Sequence, residues 1–426
     1  MNLTFQFWRV REVLRLIWVR IAAISALAVV AAIIAPFVSQ LLPEGLKDRI
    51  PEKAVTDLLS VIAGSMLAVA TFSLSVMVSA HHYAASQVTP RSHRLLRQDG
   101  RTQSVLATFI GAFVYALVAI IILNAGFYQG RDYLVIFSVT ILVIAFVIFA
   151  LVRWVQHISD LGSIEATTRR VEAAALKAMQ TRMDHPYMGA RPLDAAIRTG
   201  EAIPVIAGTF GWVQHVDLPA LSELAEKLNA KVHLNVMPGH RVDRGLPLME
   251  VEVLRLSTED MADLTGTIVV GDTRSFDQDP SFGLEVMSEI AQRALSPGLN
   301  DPRTATDIIW RQHGILDLWR EVGDPENPAY PRLHVPGMTA DHLTRVALDH
   351  IARDGAALVE VQVALQSALA QLADHREASL RDASLEVSAR ALARSEALLP
   401  LTQDRVRVRD IAPARKPADF RTAGQQ

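Results

Sequence analysis

The side chains best suited to chemistry in this sequence gather between positions 275 and 305. Ser275-Phe276-Asp277-Gln278-Asp279-Pro280 and Asn300-Asp301-Pro302-Arg303-Thr304-Ala305 flank an amphipathic helical run, Phe282 to Leu295. Asp277, Asp279, Glu289, Asn300 and Asp301 offer hard oxygen donors of the kind that hold magnesium or calcium. Their spacing is not that of an EF-hand loop. The same residues read more simply as a turn and two helix caps, with Asn300 or Asp301 capping a helix that opens at Pro302. The cap reading is preferred, and no metal and no cofactor are expected.

A second pattern is apolar. Gly64, Ala68, Thr71, Ser75 and Ser79 recur at spacings of four and three, which places them on one helix face. Small residues let helices approach closely, and hydroxyls can bond across the contact. That packing role is the simpler reading. The alternative is that the stripe lines a hydrated path in an oligomer, although no charge marks a filter. The stripe runs into His81 and His82, then Arg91 and Arg94, which would stand at the inner mouth of such a path. Thr89 followed by Pro90 reads as the cap and first turn of a short basic helix.

Other chemistry is absent. With no cysteine, disulfides, thiolate metal sites and a cysteine nucleophile are excluded. The sequence contains no phosphate-binding loop, no dinucleotide fingerprint, no G-x-S-x-G elbow and no H-E-x-x-H helix. A net charge of −3 provides no nucleic-acid footprint. The apolar stretches carry no central carboxylate or lysine of the sort an ion-coupled pump needs. These absences weigh against an enzyme without closing the question.

Those candidates must be positioned by a membrane domain. Apolar residues make up 50% of the 426-residue chain, and they are concentrated in its first third. About 20 apolar residues are needed to cross a bilayer, and four stretches qualify: Ile21 to Leu42, Val55 to Ala80, Ser104 to Leu123 and Tyr133 to Val152. Arg9, Arg11, Arg15 and Arg20 precede the first, and Arg91, Arg94, Arg97 and Arg101 lie between the second and third. Cytoplasmic loops are the arginine-rich ones, so both termini are expected in the cytoplasm. The loop from Leu42 to Ala54 carries Lys47, Arg49 and Lys53 as well, balanced by Glu44, Asp48 and Glu52.

The expected organisation is an amphipathic interfacial helix over 1–20, a four-helix transmembrane domain over 21–156 and a helical stalk over 157–185. A small α+β module over 186–275, a helical region over 276–400 and a polar tail over 401–426 follow. The fold class is therefore a membrane α-helical domain of four transmembrane helices plus a cytoplasmic α+β domain ending in a helical bundle. Ile351, Leu358, Leu365 and Leu372 recur every seven residues, as a bundle face or a coiled-coil seam would. The expected location is the bacterial inner membrane.

Three stretches resemble a known family. They are Ser73-Leu74-Ser75-Val76-Met77-Val78 through Gln87-Val88-Thr89-Pro90-Arg91, then Gln103 through Phe109-Ile110-Gly111-Ala112-Phe113-Val114-Tyr115. The third is Gln278-Asp279-Pro280-Ser281-Phe282-Gly283 with Arg293-Ala294-Leu295-Ser296-Pro297-Gly298-Leu299-Asn300-Asp301-Pro302. Together they resemble the bacterial predicted membrane proteins grouped by domain of unknown function 2254. The resemblance implies a multi-span membrane protein with a soluble C-terminal region, and it implies no activity.

Two functional expectations result. One is an oligomeric, channel-like permeation protein controlled by its cytoplasmic domain. The other is a membrane-anchored sensor or scaffold whose cytoplasmic domain binds a partner or small ligand. The expected partners are the lipid bilayer, further copies of the chain and a cytoplasmic protein, with no nucleic acid.

Overall fold

A computed structural model of the chain describes residues 50–87, 100–127, 131–160, 163–193 and 201–413, together with Arg91 and isolated positions between 19 and 34. Nearly all of the expected interfacial helix, most of the first span, most of the Thr89–Pro90 helix and the second half of the polar tail lie outside the described residues. The chain divides into two compact units, residues 1–167 and 168–426.

The first unit is built from α1 (Glu52–Gln87), α2 (Gly100–Asn124) and α3 (Arg131–Asp160). Among the described residues, three segments are long and apolar enough to cross a membrane: Glu52–Ser79, Ser104–Asn124 and Asp132–Val155. At 1.5 Å per residue each covers the hydrocarbon thickness. Their mutual packing relies on small side chains. Ala107, Ala112, Ala116 and Ala119 of α2 are buried, with Leu59 and Ile62 of α1 and Ile136 of α3. Alanine lets backbones approach where no hydrophobic effect drives association. Phe72, Leu117, Leu142, Phe146 and Phe149 remain exposed, as lipid-facing side chains must. Between α2 and α3, the Tyr115 hydroxyl lies 3.1 Å from Thr140 Oγ1 in a buried setting.

The second unit begins in α4 (Ile164–Asp184). Ser163 caps it, accepting a hydrogen bond from the Ala166 amide at 3.0 Å. The stretch read as one stalk is thus divided between α3 and α4. Among the described residues eight strands follow: β1 (Ala190–Pro192), β2 (Ile203–Ile206), β3 (Gly211–Val216), β4 (Val232–Leu234), β5 (Arg241–Val242), β6 (Pro247–Val251), β7 (Ile268–Gly271) and β8 (Tyr330–Val335). One sheet runs β1-β8-β4-β6-β2 and a second runs β5-β3-β7. β8 pairs in parallel with β1 and β4, whereas β6 is antiparallel to β4 and β2. β8 comes from a stretch the sequence reads as helical. It carries Pro331 and shows no clean alternation, so only its sheet neighbours define it.

α5 (Leu218–Lys227) and α6 (Thr258–Gly266) accompany these sheets. Asp217 caps α5 through the Ala220 amide, with Pro219 in the first turn. α6 carries a full capping box between Ser257 and Asp260. Leu218, Leu221 and Ala225 join Val205, Val232, Leu234, Met249, Val251 and Leu333 in one apolar core.

The helical half comprises α7 (Pro280–Ala294), α8 (Pro302–Leu316), α9 (Ala340–Thr344), a π-helical stretch Arg345–Asp349, α10 (His350–Asp354), α11 (Val359–Ala373), α12 (Ala378–Leu398) and α13 (Thr402–Ile411). α7 is almost wholly buried. At Gly283 an added Cβ would collide with Ala175 of α4, so glycine permits that crossing. The seven-residue repeat does not run along one helix. α10 ends at Asp354, and Leu358 adopts extended backbone as the residue before α11. Gly355 makes that turn, where any Cβ would collide with Val361.

Candidate functional site

The small-residue stripe lies on α1, on the face turned away from its contacts with α2 and α3. Gly64, Ala68, Thr71, Ser75 and Ser79 are all exposed. An added Cβ at Gly64 would meet nothing within 4 Å, so among the described residues no contact requires glycine there. The Thr71 hydroxyl donates to its own helix, 3.0 Å from Leu67 O and 2.9 Å from Ala68 O. It therefore needs no partner to face lipid. His81 and His82 belong to the α1 backbone and Arg91 is exposed. The His81 and His82 side chains, and Arg94 altogether, fall outside the described residues.

The five polar candidates of the second unit do not converge. Asp301 caps α8: its Oδ1 accepts the Thr304 amide at 3.1 Å and its Oδ2 accepts the Thr304 hydroxyl at 2.5 Å. The Thr304 hydroxyl holds the Asp301 carboxyl below the usual carboxylate range. Asn300 occupies the left-handed region at φ 47°, which asparagine tolerates better than most residues. Asp277 bonds within its turn to Ser275 at 3.3 Å. Glu289 lies on α7. Among the described residues no group of three or more histidine or acidic side chains is arranged to hold a metal.

Asp279 is the exception, because it enters a charged network that its neighbours in sequence did not reveal. Its Oδ1 caps α7 through the Phe282 amide at 3.2 Å and accepts the Ser281 hydroxyl at 2.7 Å. Its Oδ2 accepts from Arg274, with Nη2 at 2.6 Å. Arg274 also pairs with Glu285 and donates to Ser281 Oγ at 2.7 Å. Its guanidinium stands over the rings of Phe282 and Trp212, at 5.0 and 5.8 Å. Gly239, at φ 95°, passes so close that any Cβ would strike the Asp279 carboxylate. Burial lowers the pKa of the nearby His240 and His342 below the histidine norm, and the Arg274 charge adds to it.

Beside this network lies Arg182 of α4, only 8% exposed. Its Nη2 donates to Gln278 O at 3.1 Å. Asp279 attracts it at longer range, and burial pulls its pKa down to about 10. Arg182 lines a cavity of about 320 Å³ whose walls include Tyr187, Trp319, Glu321, Gly337, Thr339, Asp341 and Ser379. Tyr187 and Met188 both take left-handed backbone, at φ 51° and 59°. Such strain persists only where surrounding contacts impose it, and the Tyr187 hydroxyl is fixed by Val322 O at 3.0 Å. The cavity is of ligand-pocket size, and of the two arginines that line it, Arg182 is buried and Arg320 exposed, among apolar and aromatic walls. The sequence reading missed it because Trp319 lies more than 130 residues beyond Arg182 and Tyr187, and the three form no motif.

No solved structure matches the chain. It is similar to the uncharacterized protein Mb1321c of Mycobacterium bovis and the uncharacterized protein Rv1290c of Mycobacterium tuberculosis, at 28% identity over 265 residues in each case. The alignments cover 59% of this chain and 50% of each relative, so the match spans about half the length of these relatives. A family model described as "Predicted membrane protein (DUF2254)" matches residues 15–371, and the chain belongs to that family.

Proposed function

We propose that this is a bacterial inner-membrane protein of four spans, with both termini in the cytoplasm, whose larger unit is a membrane-anchored sensor of a small ligand. The observation that carries the reading is Arg182, a buried guanidinium with one carbonyl partner on the wall of a 320 Å³ cavity. Ile21 to Leu42 supplies the fourth span by length and apolarity. The arginine-rich connection between the second and third spans supports the orientation. A cytoplasmic protein is the natural receiver of the signal.

The test uses the full chain in lipid nanodiscs and a panel of small metabolites. The reading expects at least one saturable ligand that raises the unfolding temperature. It also expects Gly337→Leu, whose Cβ would stand 3.2 Å from Tyr187 Cε1 and crowd the cavity, to remove that effect at no more than a modest cost to the unliganded temperature. If no metabolite stabilises the wild type, the sensor reading is lost.

The exposed stripe of α1 favours a second reading, an oligomeric channel-like protein. An outward face of Gly64, Ala68, Thr71, Ser75 and Ser79 suits close approach between copies. His81, His82, Arg91 and Arg94 would then stand at the inner mouth. Purified protein in planar bilayers decides it: no conductance at any voltage, pH or tension, with a monomeric state, removes this reading.

A further inference from the structure

We infer that the cavity takes a small organic anion, with a carboxylate or phosphate monoester held by Arg182 and a flat apolar body between Tyr187 and Trp319. This rests on the sensor reading above and names the chemistry of its ligand. Arginine carries five N–H donors in a rigid fork that matches a carboxylate or phosphate in two parallel bonds. Arg182 uses one donor, on Gln278 O. No carboxylate among the described residues stands within ion-pair distance of it, for the neighbouring Asp279 is committed to Arg274. A buried cation with so little compensation is costly, and an incoming anion offsets that cost. The lowered pKa of Arg182 has the same origin, burial only partly opposed by Asp279.

The acids of the cavity wall do not compete for that role. Glu321 accepts the Ser379 amide at 2.6 Å, and Asp341 pairs with Arg345 at 3.1 Å. The aromatic walls are anchored by their polar tips. Trp319 Nε1 donates to Ser379 Oγ at 3.0 Å, and the Tyr187 hydroxyl donates to Val322 O. Their remaining surfaces are apolar and rigid, which suits a flat body without further hydrogen bonding.

The experiment measures binding to the full chain in phosphatidylcholine nanodiscs by ligand-observed NMR and thermal unfolding. The probes are benzoate, phenyl phosphate, benzamide and benzyl alcohol. Saturable binding is expected from at least one of the two anions, with its neutral counterpart at least about tenfold weaker. Comparing the two anions separates a carboxylate from a phosphate source. Arg182→Gln is expected to lose that preference, and Gly337→Leu to lose binding without touching the guanidinium. The second variant keeps the proposal testable if the first fails to fold. Benzamide or benzyl alcohol binding as well as the anions, and lost in Gly337→Leu, overturns the anion proposal while leaving a ligand cavity. No binding by any of the four probes overturns the anion proposal, and the metabolite panel then judges the sensor reading separately.

Discussion

His233 and His334 sit face to face on adjacent parallel strands, their rings stacked with centroids 4.7 Å apart and planes 23° from parallel. The pair belongs to a polar row that crosses the sheet from Arg191 on β1 to Glu250 on β6. His233 Nε2 lies 2.7 Å from Glu252 Oε1. Both Nδ1 atoms are buried without a hydrogen-bond partner. Adding a proton to His334 in that setting is costly.

The consequence is acid sensitivity. Burial, then the charges of His233, Lys231 and Arg191, push His334 down to about 4, against the pull of Glu252. A histidine whose folded pKa is depressed stabilises the fold fully above its unfolded value near 6.5 and loses that contribution as pH falls. The window is therefore pH 6.5 down to about 4, and the loss reaches about 3 kcal/mol at its lower end. His334→Gln removes the titration. Thermal unfolding of the full chain in detergent, from pH 7 to 4.5, is expected to fall more steeply for wild type than for the variant. Parallel curves would show that His334 takes up its proton at no special cost.

Arg274 and Asp279 make a second prediction. Asp279 is 4% exposed and depends on Arg274 for its charge balance. Arg274→Met leaves that carboxylate buried and unpaired, at a cost of about 3–5 kcal/mol. Arg274→Met with Asp279→Asn is expected to be milder than the sum of the two single changes, since the buried charge is gone. A double-mutant cycle on unfolding free energies measures the coupling. Additive losses would mean that the two side chains do not stabilise each other.

How far the sequence exposed this architecture follows from the range of each signal. Asp217 before Leu218-Pro219 and Asp301 before Pro302 announce helices α5 and α8, because a cap acts over three residues. The three described spans were legible from length and apolarity alone. β8 was not, since its place between β1 and β4 depends on residues more than a hundred positions away. The break at Gly355 was hidden by a seven-residue repeat that continues across it. Of the candidate site, Asp279 stood out in sequence, whereas Arg182 looked like any helix arginine. Only the fold buries it beside Trp319 and Tyr187.

Asn300 and Asp301 separate a cap from a binding surface. Asp301→Ala is expected to cost about 1 kcal/mol and to speed hydrogen exchange at Thr304, while Asp301→Ser retains most of the cap. Asn300→Gly is expected to be nearly neutral at φ 47°, and Asn300→Val to be clearly destabilising. Ordinary stability in Asp301→Ala would remove the cap assignment.

In the membrane unit, the Tyr115–Thr140 contact predicts an asymmetry. The Thr140 hydroxyl donates to Ile136 O at 2.7 Å, in its own helix. Tyr115 lies 3.1 Å from Thr140 Oγ1 and reaches Ile136 O only at 3.4 Å. Tyr115→Phe therefore leaves Thr140 satisfied, and its cost should stay near the interhelical average of about 0.6 kcal/mol. Thr140→Val deprives a buried phenol of its better partner, and the expected loss is larger, about 1–2 kcal/mol. Reversible unfolding of the full chain in bicelles compares the two. A greater loss in Tyr115→Phe than in Thr140→Val would mean that Thr140, not Tyr115, is the residue that depends on the bond between these helices.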